Sequence, residues 1–203
     1  MTAGEATGAV FGVGIGAGLL AAIVQWIKRH TILSTDGDVV PADVQALADR
    51  DGVDPDVYAL ARVAASEAGG QKRIAKAAVC WVVMNEAARR GASPLLVVLG
   101  SGTAFGGQGT GGRGFVSSSH DPQTVDLEVA GGVWNRSIAD PTDGALNFDS
   151  PHAYRDKIGD DGEVVQTATE RVDAFAANRA NEGKELVTLE GVPESTFRFW
   201  RRA

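Results

Sequence analysis

Residues 59–70 read ALARVAASEAGG, a run of small apolar residues that carries one carboxylate, Glu67, and stops at Gly69-Gly70. Just upstream, Asp54-Pro55 supplies a helix N-cap followed by proline at the first helical position. Val57, Leu60, Ala61 and Ala64 then fall at i, i+3, i+4 and i+7, the period of a helix that buries one face. Glu67 lies seven residues after Leu60 and three after Ala64, so the same period puts it on the apolar side. Fraying at Gly69 would instead turn it to solvent, and spacing alone leaves both placements open.

Working outward, QKRIAKAAVCWVVMNEAARRG (71–91) predicts a second helix. Its buried stripe is Ile74, Ala77, Ala78, Trp81 and Met84 or Asn85, and it ends in Arg89-Arg90 with Gly91 as C-cap. Ser93-Pro94 opens a short apolar helix, PLLVVLG, that Gly100 ends. A further helix is expected in PQTVDLEVAGGVWN (122–135), with Val125, Val129 and Val133 on one side, and another from Gln166 to Asn181 with Val172, Phe175 and Ala176 inward. DPTDGALNFDSP (140–151) reads as a turn and a short extended stretch. In VTLEGVPESTFRFWRR (187–202), Phe197 and Phe199 alternate with Arg198 and Trp200, the period of a half-buried strand. The fold class is therefore α+β, mostly α-helical with a small β element.

Three segments divide the chain. Residues 8–27, GAVFGVGIGAGLLAAIVQWI, are twenty residues without a charge, followed by Lys28, Arg29 and His30. That length just spans a bilayer core, and Gly8, Gly12 and Gly16 give the spacing of close helix contact. Residues 1–30 thus read as an apolar, Gly-rich N-terminal helix, either a membrane anchor or an assembly helix that contacts further copies. Glu5 before the apolar run and the basic cluster after it are the reverse of a cleavable secretory signal. Residues 31–54 read as an acidic linker with a short helix from Pro41 to Arg50, and 55–203 as the domain proper. Asp49, Asp51 and Asp54 lack the glycine and distal Glu of a calcium loop, so they read as turn and cap residues.

A chain of 203 residues, 44% hydrophobic and 22% charged, suits one globular domain plus an appendage. Its formal charge of −7 speaks against nucleic acid as a partner. The single cysteine, Cys80, excludes an internal disulfide and sits in an apolar run where it reads as a small hydrophobe. His30, His120 and His152 lie in different segments without ligand spacing, so no metal and no cofactor is expected. The glycine-rich stretch 100–114 matches G-x-G-x-x-G at Gly107, Gly109 and Gly112. No periodic helix follows it, so a dinucleotide site is not implied, and the stretch reads as a flap beside a cleft or as filler.

Taken in order, ARVAASEAGGQKRIAKAAVCWVVMNEA, FVSSSHDP, the helix ending in GGVW and the turn DPTDGALNF resemble the cell wall hydrolase family typified by spore-cortex lytic enzymes. The resemblance covers about residues 55–151. It rests on the helix ending in Glu-Ala-x-Gly and on a turn similar to the family's Asp-Pro-Thr-x-Gly-Ala-x-x-Phe. The chain departs from the family pattern at FVSSS (115–119) and at ESTFRF (194–199), which lacks the family's histidine. What the resemblance implies is a lysozyme-like fold and cleavage of peptidoglycan glycan strands between N-acetylmuramic acid and N-acetylglucosamine. Glu67 corresponds to the family's catalytic glutamate.

Breaking a glycosidic bond requires a proton for the leaving oxygen. A carboxyl donates it near neutral pH only where apolar surroundings favour its protonated form, and the buried end of an Ala/Val/Leu helix offers such surroundings. Ordinary hydrolysis needs a second carboxylate about 5 to 9.5 Å away. Asp121, Asp140, Asp143 and Asp149 are the candidates, and each also has a turn or capping role beside Pro, Gly or Ser. Without a second carboxylate the resemblance implies lytic transglycosylase chemistry, in which Glu67 serves as acid and then as base. Ser66, Thr142, Asn147 and Phe148 are the candidate saccharide contacts from their place beside the motifs. The expectation is a muralytic enzyme, virion-associated or membrane-associated and acting on the cell wall. The alternative is a structural or assembly component of a virion or envelope complex with a lysozyme-like fold and little or no activity.

Overall fold

In the computed structural model, residues 40, 42–100 and 121–203 are described. The apolar segment 8–27, the glycine-rich stretch beyond Gly100, FVSSS, His30 and His120 lie outside the described residues. Helix α1 (Ala42–Asp51) precedes α2 (Pro55–Glu67), α3 (Arg73–Arg90), α4 (Pro94–Gly100) and α5 (Thr124–Trp134). Strand β1 (Asn147–Asp149), a 3₁₀ turn (Pro151–Ala153), β2 (Lys157–Ile158), β3 (Val164–Gln166), α6 (Ala168–Asn181), β4 (Lys184–Val187) and β5 (Arg198–Arg202) follow. The arrangement is α+β and mostly helical.

Helix α2 is the hub, packed against α1, α3, α4 and α5. Asp54 caps it by accepting from Asp56 N at 2.8 Å, and Pro55 sits where no amide is needed. Tyr58, Leu60, Val63 and Ala64 are essentially inaccessible, because neighbours cover the helix on more than one side. Burying a Leu or Val side chain contributes about 1.5–3 kcal/mol, so this helix anchors the domain. Helix α3 is likewise enclosed: Ala77 to Cys80, Val82 and Val83 are buried. The expected stripe is therefore shifted, since Ile74, Trp81, Met84 and Asn85 are only half-buried. Trp81 donates its Nε1–H to Ile138 O at 3.1 Å.

The compact unit runs from Pro41 to Ala203, so α1 belongs with the domain and not with the linker. The reason is packing: Val44 and Ala48 are buried. Asp54 caps α2 as expected, whereas Asp49 and Asp51 lie in the last turn of α1, where Asp49 accepts from Gln45 and Asp51 binds Arg50. In α5 the buried face is Asp126, Val129, Ala130 and Val133, with Val125 half-exposed. Asp126 can lie inside because Lys76 Nζ meets its Oδ1 at 2.6 Å.

Among the described residues the strands form one antiparallel sheet in the order β1-β5-β4 and a separate hairpin, β2-β3. Phe148 opposes Phe199, and Asp149 opposes Arg198. The tail strand is central and not half-buried: Arg198, Phe199 and Trp200 are all covered. Phe148, Phe197 and Phe199 cluster on one face with ring centroids 6.0–6.2 Å apart. On the other, Trp200 meets Phe175 of α6, and Arg198 donates to Val172 O. Helix α6 starts with a capping box between Thr167 and Glu170, two residues later than its sequence period predicts.

Candidate active site

Helix α2 is buried from Asp56 to Ala64, and its last turn, Ala65 to Glu67, is half-buried. Glu67 thus stands where the helix leaves the core, between the two placements its spacing allowed. The backbone behind it is held tightly. Buried Ala68 donates its N–H to Ala64 O at 3.0 Å. A Cβ on Gly69 would lie 2.7 Å from Ala65 O, so only glycine fits there. Gly70 has φ +75°, which reverses the chain toward α3. Ser66, also half-buried, donates its hydroxyl to Val63 O at 3.3 Å.

The second motif is a turn built around one carboxylate. Asp140 Oδ1 accepts from Thr142 N at 2.8 Å and from Thr142 Oγ1 at 2.6 Å. Its Oδ2 accepts from Asn85 Nδ2 at 2.9 Å and from Gly144 N at 3.1 Å. Asn85 also donates to Ala145 O at 3.1 Å, which fastens the turn to α3. Asp143 and Gly144 adopt left-handed conformations with φ +49° and +81°. Beyond the turn, Asn147 Oδ1 accepts from Lys184 Nζ at 2.7 Å, and half-buried Phe148 joins the phenylalanine cluster.

These placements revise the candidate contacts. Thr142 is fully buried with its hydroxyl committed to Asp140 and to Ala145 N, so it shapes the turn and does not face a saccharide. Asn147 and Phe148 belong to the same turn-and-strand unit, while Ser66 and Glu67 sit at the end of α2. Helix α3 supports both, beginning six residues after Glu67 and holding the turn through Asn85.

Each candidate second carboxylate is engaged. Asp140 accepts four hydrogen bonds, as above. Asp149 is buried between Arg198, whose Nε lies 3.1–3.2 Å from both oxygens, and Trp200 Nε1 at 2.9 Å. Asp143 pairs with Arg201. Asp121 accepts from Arg50 Nη1 at 2.9 Å, Arg62 Nη1 at 3.2 Å and Tyr58 Oη at 3.3 Å. Its hydrogen bond to Arg50 holds the carboxyl below the usual carboxylate range. Burial lowers the Arg62 pKa and raises that of Tyr58.

The partners that make these assignments, Arg50, Arg62, Lys76, Asn85 and Arg198, are not singled out by the sequence motifs that mark the site. One signal was available, a charged residue inside an apolar helical run, as at Arg62 and Lys76, which must find a partner once buried. Cys80 is a small hydrophobe, fully buried at 3.5 Å from Leu60 O, its thiol pushed up to about 12 by burial. His152 Nδ1 lies 3.1 Å from Thr196 O. Among the described residues no three His, Cys, Asp or Glu side chains gather to hold a metal ion, and no helix is long and apolar enough to cross a membrane. Compared with known proteins, the chain matches no family model, no curated protein and no solved structure.

Proposed function

We propose that this protein cleaves the glycan strands of peptidoglycan between N-acetylmuramic acid and N-acetylglucosamine as a lytic transglycosylase, with Glu67 as its acid and base. The observation that supports the reading is that every candidate second carboxylate is already engaged. Glu67 ends a core helix two residues before Gly69, where a Cβ would lie 2.7 Å from Ala65 O, and Asp121, Asp140, Asp143 and Asp149 are each tied to cations or to backbone and side-chain donors. In the proposed reaction the Glu67 carboxyl protonates the glycosidic oxygen as the C1–O bond breaks. The acetamido oxygen of the same muramic acid closes on C1 and shields the cation. Glu67, now a carboxylate, takes the proton of the 6-hydroxyl, whose oxygen displaces the acetamido oxygen and leaves a 1,6-anhydro sugar. No water enters, and Glu67 ends reprotonated.

The test is digestion of purified peptidoglycan by the full chain and by Glu67→Gln, with released muropeptides weighed by mass spectrometry. Products lighter by one water than the hydrolytic ones, given by the wild type alone, are expected. Products of hydrolytic mass would return one of the aspartates to the mechanism. A folded wild-type protein that releases nothing from several wall types would overturn the enzymatic reading in favour of a structural role.

A further inference from the structure

A groove of about 470 Å³ lies between the first turn of α3, the Asp140 turn and the connection from β4 to β5. Its lining is Ile74, Pro141, Thr188, Leu189, Glu190 and Gly191. All three walls are braced. Ile74 sits one residue into α3, and Pro141 lies between Asp140 and Thr142, whose mutual hydrogen bonds hold the turn. Leu189 and Val192 pair as an isolated bridge, with Val192 N donating to Leu189 O at 3.1 Å and Gly191 at φ +78° closing the tight turn. Both of these side chains are buried, so the turn is rooted and Glu190 is carried at its tip.

The chemistry of the groove is one-sided. Ile74, Pro141 and Leu189 give it apolar walls, and Glu190 is the only charged residue among the six. The neighbouring Glu194 accepts from Thr188 Oγ1 at 2.9 Å, whereas the Glu190 carboxylate makes no hydrogen bond or ion pair among the described residues. An apolar trough with one unpaired carboxylate at its lip complements a ligand with an aliphatic stem and a terminal ammonium. The volume falls in the range of small-ligand sites.

We propose that this groove takes the diamino-acid side chain of a peptidoglycan stem peptide, its methylenes along Ile74 and Leu189 and its ammonium on Glu190. The proposal rests on the peptidoglycan reading of the protein. It would make Glu190 a specificity determinant that separates wall strands bearing free stem-peptide amines from those in which the amines are blocked or cross-linked.

The test is titration of the full chain with two probes, a GlcNAc-MurNAc tetrapeptide containing lysine at the third position and the same compound with that lysine acetylated. The disaccharide lacks the bond to be cleaved, so wild-type protein serves. The free amine is expected to bind about two- to fivefold more tightly, the size of a partly exposed ion pair. Glu190→Gln should erase that preference while leaving binding of the acetylated probe unchanged, and amide resonances of residues 188–191 should shift only with the free amine. Equal binding of the two probes, or a preference that survives Glu190→Gln, overturns the groove assignment while leaving the peptidoglycan reading in place. Failure of both probes to bind, with wall digestion also absent, overturns both.

Discussion

Asp140→Asn is the sharpest perturbation of the turn, because the four donors around this side chain are divided two to each oxygen. An asparagine offers one oxygen. Directed at Thr142, where the bonds are 2.6 and 2.8 Å, it leaves its NH₂ group facing Gly144 N–H and the Asn85 NH₂. Asn85 cannot rotate its amide to help without surrendering its 3.1 Å bond to Ala145 O. Two hydrogen bonds to a charged acceptor are lost, each worth about 1.5–3 kcal/mol, and exposure of Gly144 moderates the sum to about 2–4 kcal/mol. Urea unfolding should show the midpoint fall with the slope unchanged. A loss below about 0.5 kcal/mol would refute the reading that the turn is built around this carboxylate. So would the opposite pattern, full stability with abolished wall digestion, since that is the signature of a second catalytic carboxylate.

Two further predictions concern buried charge. Lys76→Met takes away the cation paired with the buried Asp126 side chain and should cost about 3–5 kcal/mol. Adding Asp126→Asn, which keeps an oxygen for Gln123 N–H, should recover part of it, and a double variant no more stable than the single one would contradict the pairing. Asp56, buried and accepting from Leu95 N at 2.9 Å, is pushed up to about 6 from 3.8, chiefly by desolvation. Between those values the native state holds a proton that the unfolded chain has released, so stability falls as pH rises from about 4 to 6 and levels off above. The shift corresponds to about 3 kcal/mol. Asp56→Asn keeps the acceptor and removes the charge, so its advantage over wild type should grow across that window; a difference that stays constant would refute the shift.

The helices around ALARVAASEAGG were legible because apolar period, N-cap and glycine stop agree there, and α2 runs from Pro55 to Glu67 as that agreement implies. Period misled where a residue's partner is distant in sequence. Asp126 occupies the buried face of α5 because Lys76, fifty residues earlier, neutralises it. Phe197 to Trp200 alternate like a half-buried strand, yet α6 covers the face that carries Arg198 and Trp200. Nothing local announces that second layer. Thr142 looked available beside its motif, and only the placement of Asp140 and Ala145 around its hydroxyl shows it is enclosed.

Under the proposed reaction, transglycosylation and hydrolysis are separated by whether any of the four aspartates can serve as a second carboxylate. A nucleophile must approach C1 with an unshared lone pair, and a general base must hold a water on the far side of the ring; both roles require a carboxylate that can exchange partners. Asp140 and Asp149 cannot do so without dismantling the turn or exposing Arg198 in the core. Asp121 would have to leave Arg50, Arg62 and Tyr58, which together fasten α1 and α2 to the entry of α5. Asp143, bound to Arg201 on the rim of the sheet, is the least confined of the four, and Asp143→Asn should therefore leave wall digestion intact if substrate-assisted chemistry operates. Should that variant instead lose activity while keeping its fold, Asp143 becomes the second carboxylate, and the released muropeptides should carry the mass of hydrolysis.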